Sequence, residues 1–138
     1  MPMFKGFTLI AALVAVPLAA DAQALLYTGS LTCEALPGQS AAPAPSAVLL
    51  RVQGYRATYQ LKAQGYGAVP AGIDDNGRGT ITGMDAKLLG GGSKAGIDLK
   101  TTVTGVRRGR EYDLAADQVF SGKGLLAAIT RRCKGTAR

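Results

Sequence analysis

Polar and apolar residues alternate with period two along most of this chain, and that alternation predicts strands. Its clearest run is residues 55–63, where Tyr55, Ala57, Tyr59, Leu61 and Ala63 share one face and Arg56, Thr58, Gln60 and Lys62 the other. Such a segment buries its apolar side only in extended form. The pattern returns at 27–33, with Tyr27, Gly29, Leu31 and Cys33 opposed to Thr28, Ser30 and Thr32, and at 97–103, with Ile97, Leu99, Thr101 and Val103 opposed to Asp98, Lys100 and Thr102. Residues 47–53 place Val48, Leu50 and Val52 inward, and 125–133 place Leu125, Ala127, Ile129 and Cys133 inward. Runs at 79–82, 86–89 and 111–120 bring the expectation to about eight short strands; the last of these could instead hold a short helix over 112–118.

Turn chemistry separates the runs. Asp74, Asp75, Asn76 and Gly77 read as a hairpin turn, because Asn-Gly tolerates positive φ at both central positions. Gly90, Gly91, Gly92 and Ser93 read as a flexible connector, and 105–110 and 121–124 as short links. A Pro/Ala-rich stretch at 35–46 cannot donate a full backbone ladder and is expected to be an exposed loop. Turn signals at this frequency predict an all-β domain, an antiparallel sandwich or small barrel, over residues 25–138.

The first 24 residues belong to a different pattern: a short basic start at Lys5, an apolar run over 7–18, then small residues at Ala20, Ala22 and Ala24, with the signal peptide taken as residues 1–22. This is the layout of a secretory signal peptide with cleavage after Ala22 or Ala24. The run is too short for a hydrocarbon core, which takes roughly 20 residues, so no transmembrane anchor is expected. A rival reading comes from Gly6, Phe7, Thr8, Leu9 and Ile10, which resemble the processing site of type IV prepilins and imply a pilin-like subunit cut between Gly6 and Phe7. Ala11 stands where that family has Glu, and the apolar run ends early.

Export changes how the rest is read. The two cysteines, Cys33 and Cys133, allow one intramolecular pairing, and an even count in an exported chain predicts a disulfide. Neither histidine nor tryptophan occurs, so histidine bases and histidine metal ligands are excluded. The acidic turn lacks the ligand alternation of a calcium loop, and the glycine run lacks the spacing and helix of a phosphate loop. Glu111 and Asp113 share a strand face, yet the acids read as solvated charge rather than a glycosidase pair. The expectation is a protein that is not an enzyme and carries no cofactor and no metal.

Charge gives the one suggestive constellation. The chain carries a net +7, which favours anionic partners such as an envelope polymer or lipid head groups. Arg107, Arg108 and Arg110 crowd a predicted hairpin tip, while Lys123, Arg131, Arg132, Lys134 and Arg138 fill the C-terminal part. Brought together they would hold phosphate or carboxylate groups; the candidates named for this are Arg107, Arg108, Arg110, Arg131, Arg132 and Lys134. Nucleic acid is the weaker partner, since aromatic stacking platforms are sparse.

Tyr27, Gly29, Leu31 and Cys33, the run 54–59, and Arg131, Arg132 and Cys133 together resemble a group of small, uncharacterised bacterial exported proteins with a single disulfide between their termini. The resemblance implies a periplasmic or secreted β domain and supplies no catalytic residue. The leading functional expectation is therefore an exported binding domain for an anionic envelope component or a protein partner. The alternatives are a periplasmic inhibitor of a lytic enzyme, presenting a loop such as 35–46, and the pilin-like subunit.

Overall fold

A computed structural model describes residues 23–138; the leader and the Gly6–Phe7 motif lie outside them. Eight antiparallel strands follow one another in chain order: β1 Leu25–Cys33, β2 Ser46–Gln53, β3 Arg56–Ala63, β4 Ile73–Thr82, β5 Asp85–Lys94, β6 Ile97–Arg108, β7 Glu111–Gly122 and β8 Ile129–Ala137. Each pairs with the next, and β8 returns to pair with β1, so the sheet closes into an up-and-down barrel rather than a sandwich. Closure leaves no edge strand, and eight strands enclose a space that side chains can fill.

The period-two reading explains why these residues form these strands. Ala57, Tyr59, Leu61 and Ala63 are buried, while Arg56, Thr58, Gln60 and Lys62 are exposed. Along β6 the outward positions Asp98, Lys100, Thr102 and Thr104 are likewise polar, with Val106 outward near the turn, so most of this strand's outer face is polar. Inside, two apolar clusters occupy the two ends. One gathers Leu31, Val48, Leu50, Leu61, Leu88, Val103 and Leu114, with the Tyr27 and Tyr112 rings edge to face at 5.1 Å. The other gathers Ile73, Ile97, Leu99 and Phe120 with Leu36 and Val69 from the loops.

The two ends differ because their connections differ. At one end the chain turns through Gly54-Tyr55, Gly83-Met84 and Gly109-Arg110, each with positive φ at the glycine alone, the signature of the type II′ hairpin. At the other end lie the long segments 34–45, 64–72 and 123–128, and the tight turn Ala95-Gly96. The Pro/Ala-rich loop does not stand free: Leu36 is 3% exposed and sits in the apolar cluster, so this loop helps plug its end.

Several expectations are corrected. Asp74, Asp75, Asn76 and Gly77 are not a turn but the first half of β4, because Asp75 is drawn inside by three hydrogen-bond donors. Gly90, Gly91, Gly92 and Ser93 are ladder residues of β5, not a connector. Gly77 is required for a packing reason: an added Cβ would lie 2.3 Å from the ring of Tyr59, its cross-strand partner, and 2.7 Å from the Leu89 carbonyl oxygen. Tyr59 crosses the strand where glycine leaves room. Tyr55 leaves the apolar face for a turn and is exposed, residues 112–118 are strand rather than helix, and β8 begins at Ile129 instead of 125. Cys33 and Cys133 face each other across the β1–β8 seam and are disulfide-bonded as expected.

Candidate functional site

Between the two apolar clusters runs a layer of polar side chains. Asp75 on β4 accepts from the Tyr59 hydroxyl at 2.6 Å, the Thr101 hydroxyl at 2.7 Å and the Gln118 amide at 3.1 Å. Gln118 on β7 then accepts from Arg131 Nε at 2.8 Å, and Arg131 Nη2 donates to the Gln64 carbonyl at 2.6 Å. The Gln118 amide is thus a directional relay, with its nitrogen toward the carboxylate and its oxygen toward the guanidinium. Both disulfide sulfurs contact the same amide oxygen, at 3.4 and 3.8 Å. A disulfide carries no S–H, so these are packing contacts and not hydrogen bonds. The Arg131 guanidinium also lies 5.1 Å from the Phe120 ring centroid, a cation–π geometry that offsets some of its desolvation.

This constellation has the composition of an active site but not the access of one. Asp75, Gln118, Thr101 and Arg131 are at most 2% exposed, and their polar atoms are directed at each other. Arg131 Nη1 is buried without a hydrogen-bond partner, a cost tolerated because the remaining guanidinium nitrogens and the ring face hold the group in place. Burial pushes the Arg131 guanidinium below its ordinary value, partly countered by Asp75. Burial, then the hydrogen bond and charge of Asp75, push the Tyr59 phenol far above the usual tyrosine range. Tyr112 is raised by burial and by Tyr27, against an opposing effect of Arg107. These shifts set an alkaline limit. An unfolded tyrosine ionises near pH 10, whereas the folded chain holds both protons longer, so this stabilisation is complete below about pH 10 and is lost as pH climbs above it. Denaturant midpoints taken across that range should fall as the pH rises.

The cations predicted to form one patch do not. Arg107, Arg108 and Arg110 lie at the short-turn end, joined there by Arg138 from the chain terminus. Two of these are partnered, Arg108 with Asp113 at 2.6 Å and Arg138 with Glu111 at 3.9 Å. Arg132 and Lys134 point outward from the middle of β8, where Arg132 is opposite Asp117 and its backbone N–H donates to Glu34. Arg131, between them in sequence, takes the inward register and is unavailable to any outside anion.

A different basic site emerges on the wall. An open groove of about 470 Å³ is lined by Arg51, Arg56 and Arg78 with Gln53, Tyr55, Thr58 and Thr80, and no carboxylate is among its lining residues. Register builds it: Arg51 pairs with Thr58, and Thr58 with Arg78, so the two arginines flank Thr58 across two strand spacings, roughly 10 Å. Arg56 lies two residues along β3, over the Tyr55 ring at 5.3 Å. None of the three forms an ion pair among the described residues. Alternation marks Arg51 and Arg56 as outward-facing, Arg78 gains its outward position only because 74–77 is strand and not turn, and their convergence depends on strand pairing. No family model matches the chain, and neither does any curated protein or solved structure. The geometry alone carries the functional reading.

Proposed function

We propose that this chain is an exported, non-enzymatic barrel that holds a phosphate- or carboxylate-bearing envelope component on its basic outer wall. The observation that carries the reading is the groove of Arg51, Arg56 and Arg78, three guanidinium groups without an ion pair among the described residues, with hydroxyl and amide donors between them. Planar forked donors suit phosphate and carboxylate oxygens. A side-chain-filled interior supports the same reading, since the buried acid, phenol, amide and guanidinium satisfy one another instead of a substrate. The leader pattern and the disulfide both fit the periplasm or the exterior, where disulfides persist.

Calorimetric titration with a soluble phosphate polymer and with a uronic acid polymer tests the reading and separates the two ligand chemistries. Binding should weaken steadily with added salt. The triple change Arg51→Gln, Arg56→Gln, Arg78→Gln should lower affinity by about tenfold or more, because each removes charge-assisted contacts, while the circular-dichroism spectrum stays that of a β protein. Absence of binding by either polymer at low salt would count against the wall as a ligand site.

A further inference from the structure

The short-turn end combines three features that the groove does not explain. Of the exposed large apolar residues, Leu25, Leu26, Tyr55, Met84 and Val106 all lie at this end, leaving Leu89 on the wall and Leu126 at the loop end. Tyr55 and Met84 are each 63% exposed and stand second in their Gly-X turns, the position that projects farthest from a hairpin. Around the rim most of the apolar residues occupy the side where β1 to β5 begin or turn, Val106 on β6 lies beside the basic residues, and Arg107, Arg108, Arg110 and Arg138 occupy the side where β6, β7 and β8 begin or turn. Arg56 flanks the apolar side, over Tyr55. Asp85, Glu111 and Asp113 are the acids here, and two of them are already paired to arginines.

We propose that this end docks on an anionic lipid bilayer surface, with Tyr55, Met84 and the leucines at the head-group boundary and Arg107 and Arg110 against lipid phosphates. Apolar area plus attraction to anionic lipid sets the strength of such binding, and both are present on one rim. β1 starts at Leu25, on this rim, so the mature chain begins two residues from the docking face if cleavage follows Ala22. The docking face meets the groove at Tyr55 and Arg56, but Arg107, Arg110 and Met84 lie outside the groove and Arg78 lies outside the docking face, so substitutions there separate the two readings.

The absence of tryptophan makes a direct test possible. Met84→Trp and Leu126→Trp each give a single reporter, one at either end of the barrel. With vesicles of mixed phosphatidylcholine and phosphatidylglycerol, Met84→Trp emission should shift to the blue and be quenched by bilayer-embedded quenchers, while Leu126→Trp emission stays put. Phosphatidylcholine alone should bind far less. Arg107→Gln with Arg110→Gln should weaken vesicle binding by about 25-fold, about fivefold for each charge, and Arg78→Gln should leave it unchanged. Equal responses from the two reporters, or no vesicle binding while the phosphate polymer still binds, would overturn the docking proposal and spare the groove. A blue shift of Met84→Trp without vesicles, rising with protein concentration alongside the sedimenting mass, would overturn it in favour of a second copy on this face.

Discussion

Replacing Cys33 and Cys133 by alanine should cost the barrel about 4–5 kcal/mol, the largest loss expected from any pair of substitutions here. The bond closes a sequence separation of 100 residues, for which chain entropy gives ~4.7 kcal/mol. It also sits on the seam that turns an open sheet into a barrel, where Cys33 and Cys133 are direct cross-strand partners. A domain of this size has roughly 5–15 kcal/mol in total, so the reduced form should unfold near the lower end of denaturant midpoints or fail to fold when warm. Removing the sulfurs further loosens Gln118, whose amide oxygen they pack against. Paired urea titrations of the oxidised protein and the double alanine variant check this. Coincident midpoints would mean that strand pairing alone closes the seam.

Arg131→Met should be almost as damaging, by about 3–5 kcal/mol, because it strands the Asp75 carboxylate in an apolar interior with no cation to balance it. Asp75→Leu should cost a similar amount by stranding Arg131. The double change Asp75→Leu with Arg131→Met removes both charges and should cost clearly less than the sum of the singles, since an apolar replacement of a whole buried pair is often near neutral. Asp75 and Arg131 do not touch, so the coupling measured by this cycle has to pass through Gln118. Gln118→Leu should abolish most of it. Additive single effects would show that the two charges are satisfied independently of one another.

Alternation made the architecture legible. Residues 55–63, 27–33 and 97–103 each state their buried face, and together with two cysteines near the ends they imply a closed β domain. What stayed hidden were the places where an inward slot is filled by a charged or missing side chain. Arg131 and Asp75 look like surface charge in sequence, and only partners on other segments make their burial tolerable: the Tyr59, Thr101 and Gln118 donors for Asp75, and the Gln118 and Gln64 oxygens that accept from Arg131. Gly77 and Gly90 look like loop residues for the same reason: glycine in a strand is indistinguishable from glycine in a turn until the neighbour that needs the space, here Tyr59 or the Asn76 carbonyl, is in place. The groove was hidden by register. Arg51, Arg56 and Arg78 are spread over 28 positions of sequence, and nothing local says that β2, β3 and β4 bring them to one wall.

The claim that ties the account together is a division of labour, with structural chemistry inside the barrel and binding outside. Backbone amide NMR spectra recorded during titration with the phosphate polymer test it most directly. The account predicts shifts at Arg51, Arg56, Thr58 and Arg78 while Tyr59, Asp75, Thr101, Gln118 and Arg131 stay fixed. Shifts concentrated on that inner set, with a silent wall, would contradict it.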